Sequence, residues 1–89
     1  MIKHLKPEPM IMAVLNEIKS SLPDKTVQNL TELIDHNEPG VALEVLCAQI
    51  FENGLELSCI NKSNLKAAAR LMNIPFLQLG IVFKTHHSI

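Results

Sequence analysis

Apolar residues recur at the spacing of an α-helix through most of this chain, and proline or glycine separates one such stretch from the next. In the first stretch they stand at positions i, i+3, i+4, i+7 and i+11 with polar residues between them, which is typical of an amphipathic helix. The pattern predicts four helices: from about Glu8 to Ser21, from a cap at Asp24 to a stop at His36-Asn37, from about Pro39 to Glu52, and from a cap at Asn61 or Ser63 towards Ile74-Pro75.

Each predicted helix has an apolar face that we expect to be buried. The third helix differs from the others because apolar residues cover well over half of its circumference, so we expect neighbours on several of its sides. The residues expected to face the core are Ile11, Val14, Leu15, Ile18 and Leu22 in the first stretch, Val27, Leu30, Leu33 and Ile34 in the second, Ala42, Leu43, Val45, Leu46, Cys47, Ala48, Ile50 and Phe51 in the third, and Leu65, Ala68, Ala69, Leu71 and Met72 in the fourth.

Two segments leave the choice of structure open. Residues 55–60 alternate between apolar and polar side chains, but over too few positions to decide between a strand and a loop, and we predict a loop. Before residues 76–83, Pro75 at a first-turn position favours a fifth helix. Gly80 and the β-branched and aromatic residues after it favour extended structure instead, and we predict the helix.

The length and composition suit one small domain. A chain of 89 residues that is 47% hydrophobic and 19% charged can close a modest core but cannot form two domains. We therefore predict a single all-α domain over residues 1–89, a small bundle of four to five short helices. Residues 1–7 and 85–89 are expected to be loose ends.

The sequence also bears on location and on two classes of partner. The longest wholly apolar run, Met10 to Leu15, is far below the roughly 18–20 residues that cross a bilayer, and no uninterrupted apolar stretch follows the basic N-terminal residues. We expect no signal peptide, no membrane partner and a cytoplasmic location, with Cys47 and Cys59 as reduced thiols. Three phenylalanines without tryptophan or tyrosine, together with a net charge of −1, oppose nucleic-acid binding.

Residues that could carry catalysis or bind a metal ion are few. No two of the four histidines have the i, i+4 spacing with which imidazoles on one helix bind zinc. His36 ends the second helix, where the helix dipole favours a protonated imidazole, and we interpret it first as a helix-terminal residue. Cys47 lies on the apolar side of the third helix, where a thiolate is disfavoured. We expect no metal ion, no cofactor and no enzymatic activity.

The near-zero net charge hides an uneven distribution of charged residues. Residues 24–56 carry seven acids and one lysine, a net charge of −6, whereas residues 57–89 carry three lysines and one arginine without an acid, a net charge of +4. An acidic surface of this kind can steer a basic partner and raise its association rate. The alternative is a solvated face whose acids offset the basic fourth helix within the fold.

One stretch of the sequence carries a family resemblance. Residues 33–54 read Leu-Ile-Asp-His-Asn-Glu-Pro-Gly-Val-Ala-Leu-Glu-Val-Leu-Cys-Ala-Gln-Ile-Phe-Glu-Asn-Gly, an acidic-histidine turn, a Glu-Pro-Gly restart and a helix with a Leu-Cys-x-Gln-Ile core. Together with the alanine-rich helix over residues 65–74, this stretch resembles small immunity proteins of the MafI type and related immunity proteins of contact-dependent growth inhibition systems. Ala48 departs from the family pattern, in which an acid is expected after the cysteine.

The resemblance implies a cytoplasmic protein that binds a cognate toxin domain and blocks it. The toxins of this family include EndoU-like and other ribonucleases, and a basic RNA-cleaving surface is complementary to an acidic one. We predict an inhibitor that occludes the basic C-terminal domain of a toxin and that is a monomer or a weak dimer on its own. The predicted toxin-binding residues, expected to form a fairly compact patch, are Glu32, Asp35, His36, Glu38, Glu44 and Glu52.

Two other functions remain open. The first is a helical adaptor or homodimer that uses exposed apolar residues near the C-terminus, namely Phe76, Leu77, Leu79, Ile81, Val82 and Phe83. The second is a small DNA-binding regulator, because Lys62, Lys66 and Arg70 share one side of the fourth helix at i, i+4 and i+8. The absence of a clear glycine turn before these basic residues weighs against the second.

Overall fold

Four α-helices account for most of the computed structural model, which describes residues 6–74. They are α1 (Pro7–Ile18), α2 (Asp24–Asp35), α3 (Pro39–Glu52) and α4 (Cys59–Leu71), and a single 3-10 turn (Lys19–Ser21) follows α1. No strand occurs within the described residues. The prediction of a small all-α bundle is therefore confirmed.

The helices pack as two pairs around a common core. Helix α1 packs most extensively against α4, α2 packs against α3, and α1 also contacts both α2 and α3. The apolar faces that the helical spacing predicted meet between these pairs, which removes them from water and stabilises the fold. The buried core consists of Ile11, Val14, Leu15, Ile18, Leu22, Leu30, Ile34, Ala42, Leu43, Leu46, Cys47, Ile50, Leu57, Leu65, Ala68 and Ala69.

Three predicted core positions are wrong, and two of them lie on α3. Helix α3 contacts the other three helices, as predicted, but Ala48 is exposed and Phe51 keeps 54% of its surface exposed. On α4, Leu71 is 40% exposed. On α3 the physical reason is geometric, because its three neighbouring helices surround only part of it and leave one side exposed to solvent.

Helices α2, α3 and α4 end in the same way. Each is followed by a residue with positive φ, Asn37 (62°), Gly54 (60°) and Asn73 (58°) respectively. The next backbone N–H donates to a carbonyl one turn back in the helix, which is the Schellman arrangement that satisfies the last carbonyls. These hydrogen bonds join Glu38 to Leu33 (2.8 Å), Leu55 to Ile50 (3.0 Å) and Ile74 to Ala69 (2.9 Å). The first two ends were predicted, and the third was not.

We expect Gly54→Ala to destabilise the protein by about 1 kcal/mol, because a side chain disfavours the left-handed conformation. No atom lies within 4 Å of a Cβ built at this position, so backbone strain alone should set the cost. The matched control is Gly40→Ala in the first turn of α3, where the added Cβ would meet only the Ile74 Cδ1 atom at 3.9 Å. That change should stabilise the protein by about 0.5–1 kcal/mol. Urea denaturation measures both, and equal effects of the two substitutions would contradict the prediction.

Three helix starts differ from the predictions. Helix α4 begins at Cys59, before either predicted cap, because the Ser58 side chain accepts a hydrogen bond from the Asn61 backbone N–H (3.2 Å) and is itself the N-cap. Helix α2 includes Asp24, and Pro23 occupies its cap position. Helix α1 begins at Pro7, inside the segment predicted to be loose, since proline is suited to a first helical turn.

The link between α3 and α4 is irregular, as predicted, but only as far as Ser58. Leu57 is buried and Leu55 is half-buried, so the apolar side chains of the link pack against the core, as predicted. The predicted fifth helix over residues 75–84, the apolar residues 76–83 and the loose end at residues 85–89 lie outside the described residues.

Candidate interaction surface

Helices α2 and α3 form a hairpin that carries all six predicted site residues. Three residues, His36 to Glu38, connect the two packed helices. Each apolar face turns towards the core, so the polar residues between the apolar ones face outwards. All six predicted residues are exposed: Glu32 and Asp35 on α2, His36 and Glu38 in the connection, and Glu44 and Glu52 on α3.

The six residues spread along the hairpin rather than gathering at one point. Glu32 and Asp35 lie in the last turn of α2, directly before Glu38 in the connection. Glu52, in contrast, ends α3 at about 20 Å along the helix axis from Glu38 at the other end, given a rise of 1.5 Å per residue. The expected compact patch is therefore limited to the closed end of the hairpin, and the remaining acids extend it along α3.

The imidazole of His36 completes the end of α2. In the tautomer that protonates Nδ1, the ring donates to the Glu32 carbonyl oxygen at 2.8 Å, and the His36 backbone N–H donates to the same oxygen at 2.9 Å. The Glu32 carbonyl oxygen therefore accepts two hydrogen bonds, and the ring adds a side-chain bond to the backbone one at the C-terminus of α2. The structure thus gives His36 the helix-terminal role that its sequence position suggested.

A shallow groove between α2 and α3 was not predicted from the sequence. It has a volume of about 530 Å³, and six of the seven residues that line it have polar side chains. Lys25, Thr26, Gln28, Asn29 and Glu32 line it from α2, and Val45 and Gln49 line it from α3. Amide and hydroxyl groups donate and accept hydrogen bonds, so the groove can bind polar groups of a partner. Only the packing of α2 against α3 brings these residues together. The one signal in the sequence was the run of polar residues on α2.

The two cysteines are free and differ in their surroundings. Cys47 is buried in the core, whereas Cys59 is exposed in the first turn of α4. Burial, with a smaller contribution from the negative charge of Glu44, raises the pKa of the Cys47 thiol to about 12. The thiol is therefore neutral at physiological pH, which fits a core cysteine rather than a nucleophile.

Two further features of the described residues concern metal ions and membranes. Within residues 6–74, no three histidine, cysteine, aspartate or glutamate side chains are grouped so that they could hold a metal ion. None of the helices in the same range has the length and apolar character needed to cross a membrane.

A polar cluster joins α1 to α4 on another side of the molecule, and the sequence did not reveal it. The Glu17 carboxylate accepts hydrogen bonds from the Ser58 backbone N–H (3.0 Å), the Ser58 hydroxyl (3.0 Å) and the Asn61 side-chain amide (2.5 Å). Asn64 in turn donates to the Asn61 side-chain oxygen (2.8 Å). The Asn61 hydrogen bond is the largest contribution that holds the pKa of Glu17 below its ordinary value, and the Ser58 hydrogen bonds add to it against the effect of desolvation.

Glu17→Gln is expected to destabilise the protein at neutral pH and to have less effect in acid. A carboxyl group whose pKa is lower in the folded state contributes stability above its unfolded pKa, and this contribution is lost as the pH falls through the folded value. The difference in unfolding free energy between wild type and Glu17→Gln should therefore reach its full size at pH 7. It should shrink below about pH 4.5, which is the ordinary pKa of a glutamate side chain. Denaturant titrations at several pH values measure it. Glu56→Gln, which removes an exposed acid from the link between α3 and α4, is the control, and a difference that did not change with pH would contradict the prediction.

The basic residues of α4 form another candidate surface. Lys62, Lys66 and Arg70 all lie on α4, as predicted, and all three are exposed.

No protein-family model matches the chain, and no curated protein or solved structure is significantly similar to it. These comparisons therefore assign neither a family nor a function to the chain.

Proposed function

We propose that this protein binds and neutralises a toxin domain by covering a basic surface of that domain with the α2–α3 hairpin. The observation that carries the proposal is the exposure of every acid on the α2–α3 hairpin. Six carboxylates are exposed on a hairpin that holds a single lysine: Asp24, Glu32, Asp35, Glu38, Glu44 and Glu52.

The electrostatics of this surface suit an inhibitor of a nuclease. An enzyme that cleaves RNA must attract phosphates, so its active surface is basic, and an acidic surface of a partner can compete for it. Inhibition by occlusion requires no chemistry from the inhibitor, and we propose that the protein is not an enzyme. The resemblance of residues 33–54 to MafI-type immunity proteins supports the same function, with an EndoU-like ribonuclease as the first toxin class to test and the cytoplasm as the place of action.

The test is a calorimetric titration of the purified protein into the C-terminal domain of the protein encoded immediately upstream, at low and at high salt. We expect tight binding with a fixed stoichiometry that weakens as salt rises, together with loss of any RNA cleavage by that domain. A basic protein of similar size and charge is the control for unspecific attraction. Absence of binding at both salt concentrations, or equal binding to the control protein, would contradict the proposal.

A further inference from the structure

One side of α3 exposes apolar residues that a helix inside a bundle would normally bury. The helix is apolar around most of its circumference, a pattern typical of a helix surrounded on all sides. The structure nevertheless leaves 45% of Val41 and 54% of Phe51 exposed. Exposed apolar side chains that are grouped within a polar rim mark sites of protein–protein contact, whereas single scattered ones are ordinary.

The exposed residues of α3 lie in one line. Val41, Glu44, Ala48 and Phe51 stand at i, i+3, i+7 and i+10, and all four are exposed, so they form a stripe about 15 Å long on the helix surface. We call these four residues the α3 stripe. Ala48 lies between the two larger apolar side chains, and its small size allows a partner to approach the helix backbone closely. The carboxylate of Glu44 places a negative charge within the stripe, and the carboxylate of Glu52 places another next to its end.

We infer that the α3 stripe is the apolar centre of the toxin-binding surface. Its occupant is a segment of the basic toxin domain that has an apolar pocket for Phe51 and Lys or Arg side chains opposite Glu44 and Glu52. This inference rests on the proposed function and adds the chemistry of the partner to it. Charge complementarity selects this occupant, because a second copy docked through the same face would bring the acids of both copies together.

The acidic residues of this surface and the apolar residues of the α3 stripe should affect binding differently. Exposed acids act at a distance, so they raise the association rate and lose their effect in salt. An aromatic side chain that fills a pocket acts only after contact, so it slows dissociation and is insensitive to salt. The aromatic ring of Phe51 is the largest exposed apolar group of the stripe and is expected to carry most of this second effect.

The test compares Phe51→Ala with Ile60→Ala on α4, where Ile60 is 74% exposed and lies off the α3 stripe. The probe is the C-terminal domain of the protein encoded immediately upstream, and association and dissociation rates are measured at low and at high salt. We expect Phe51→Ala to raise the dissociation rate about tenfold or more at both salt concentrations, as for an interface anchor, and Ile60→Ala to change it less than twofold. If wild type binds but the two variants dissociate equally, the α3 stripe is not the centre of the interface, although the proposed function stands. If wild type does not bind, the proposed function and this inference both fail.

Two measurements on the free protein complete the test. Because Phe51 is more than half exposed, Phe51→Ala should lower the Tm much less than Leu65→Ala, which truncates a fully buried side chain. An equal fall in Tm would show that the ring packs inside the fold and would overturn the inference. Size-exclusion chromatography should show the same elution volume for wild type and Phe51→Ala. A wild-type dimer that Phe51→Ala dissociates would assign the stripe to a second copy of this chain and would likewise overturn the inference.

Discussion

Leu65→Ala is expected to destabilise the protein by about 2–5 kcal/mol, the range for removing three carbons from a packed core. Leu65 has none of its surface exposed and lies on α4, which forms the most extensive helix pair of the fold with α1. The lost burial and the cavity left behind both contribute to the cost. The total stability of an 89-residue domain is on the order of 4–13 kcal/mol, so this one substitution removes a large fraction of it.

Leu71→Ala on the same helix is the matched control. It deletes the same atoms from a side chain that is already 40% exposed, so we expect a loss of only about 1–1.5 kcal/mol. Guanidinium denaturation of both variants gives the two values. Equal losses would show that Leu71 is as buried as the sequence suggested, and a small loss for Leu65→Ala would contradict the packing of α4 on α1.

Asp35→Lys combined with Glu38→Lys should slow association with a basic toxin domain by about tenfold at low ionic strength. The two side chains lie where the acids are densest, at the closed end of the α2–α3 hairpin, and the double change shifts the local charge by four units. At about 0.1 M salt the Debye length is only about 10 Å, so the effect should shrink as salt rises. Dissociation rates should change little, since these residues act before contact.

The same charge change at another position separates local from overall charge. Glu56→Lys alters an exposed acid outside the hairpin and should slow association less than Glu38→Lys does. Stopped-flow measurements over a range of salt concentrations compare the single variants. Equal effects would show that net charge alone steers the partner, and the absence of any effect from either would remove the acidic surface from the binding site.

The helix ends show how far local sequence signals reach. Both ends of α3 were predicted correctly, because Pro39 suits a first turn and Gly54 suits the left-handed residue after a helix. The predicted start of α4 was wrong, because residues 55–60 alternate between apolar and polar side chains as a strand does. The position of Ser58 depends instead on two hydrogen bonds. It caps Asn61 in its own helix and donates to Glu17 on α1, and the second contact joins residues that are distant in sequence.

The candidate site divides in the same way. The exposure of Glu32, Asp35, Glu44 and Glu52 follows from their positions on the polar sides of α2 and α3, so helical spacing was enough to predict it. His36 and Glu38 are exposed because they lie in the short connection between the two helices. The groove beside Val45 and Gln49 could not be predicted, because it exists only where α2 lies against α3. The exposed side of Phe51 was also missed, since spacing shows that a helix is apolar but not how many neighbours it has.

The sequence by itself determined that this chain forms helices, where α3 begins and ends, which residues face the core in most of the bundle, and where acidic residues concentrate. These features depend on residues within a few positions of one another, which the helical repeat brings together whatever the rest of the chain does. Only the tertiary structure decided which helices pair, how Glu17 joins α1 to α4, and which side of α3 stays open. Those features depend on contacts between distant parts of the chain, and packing all four helices at once selects one arrangement from the several that the apolar faces allow.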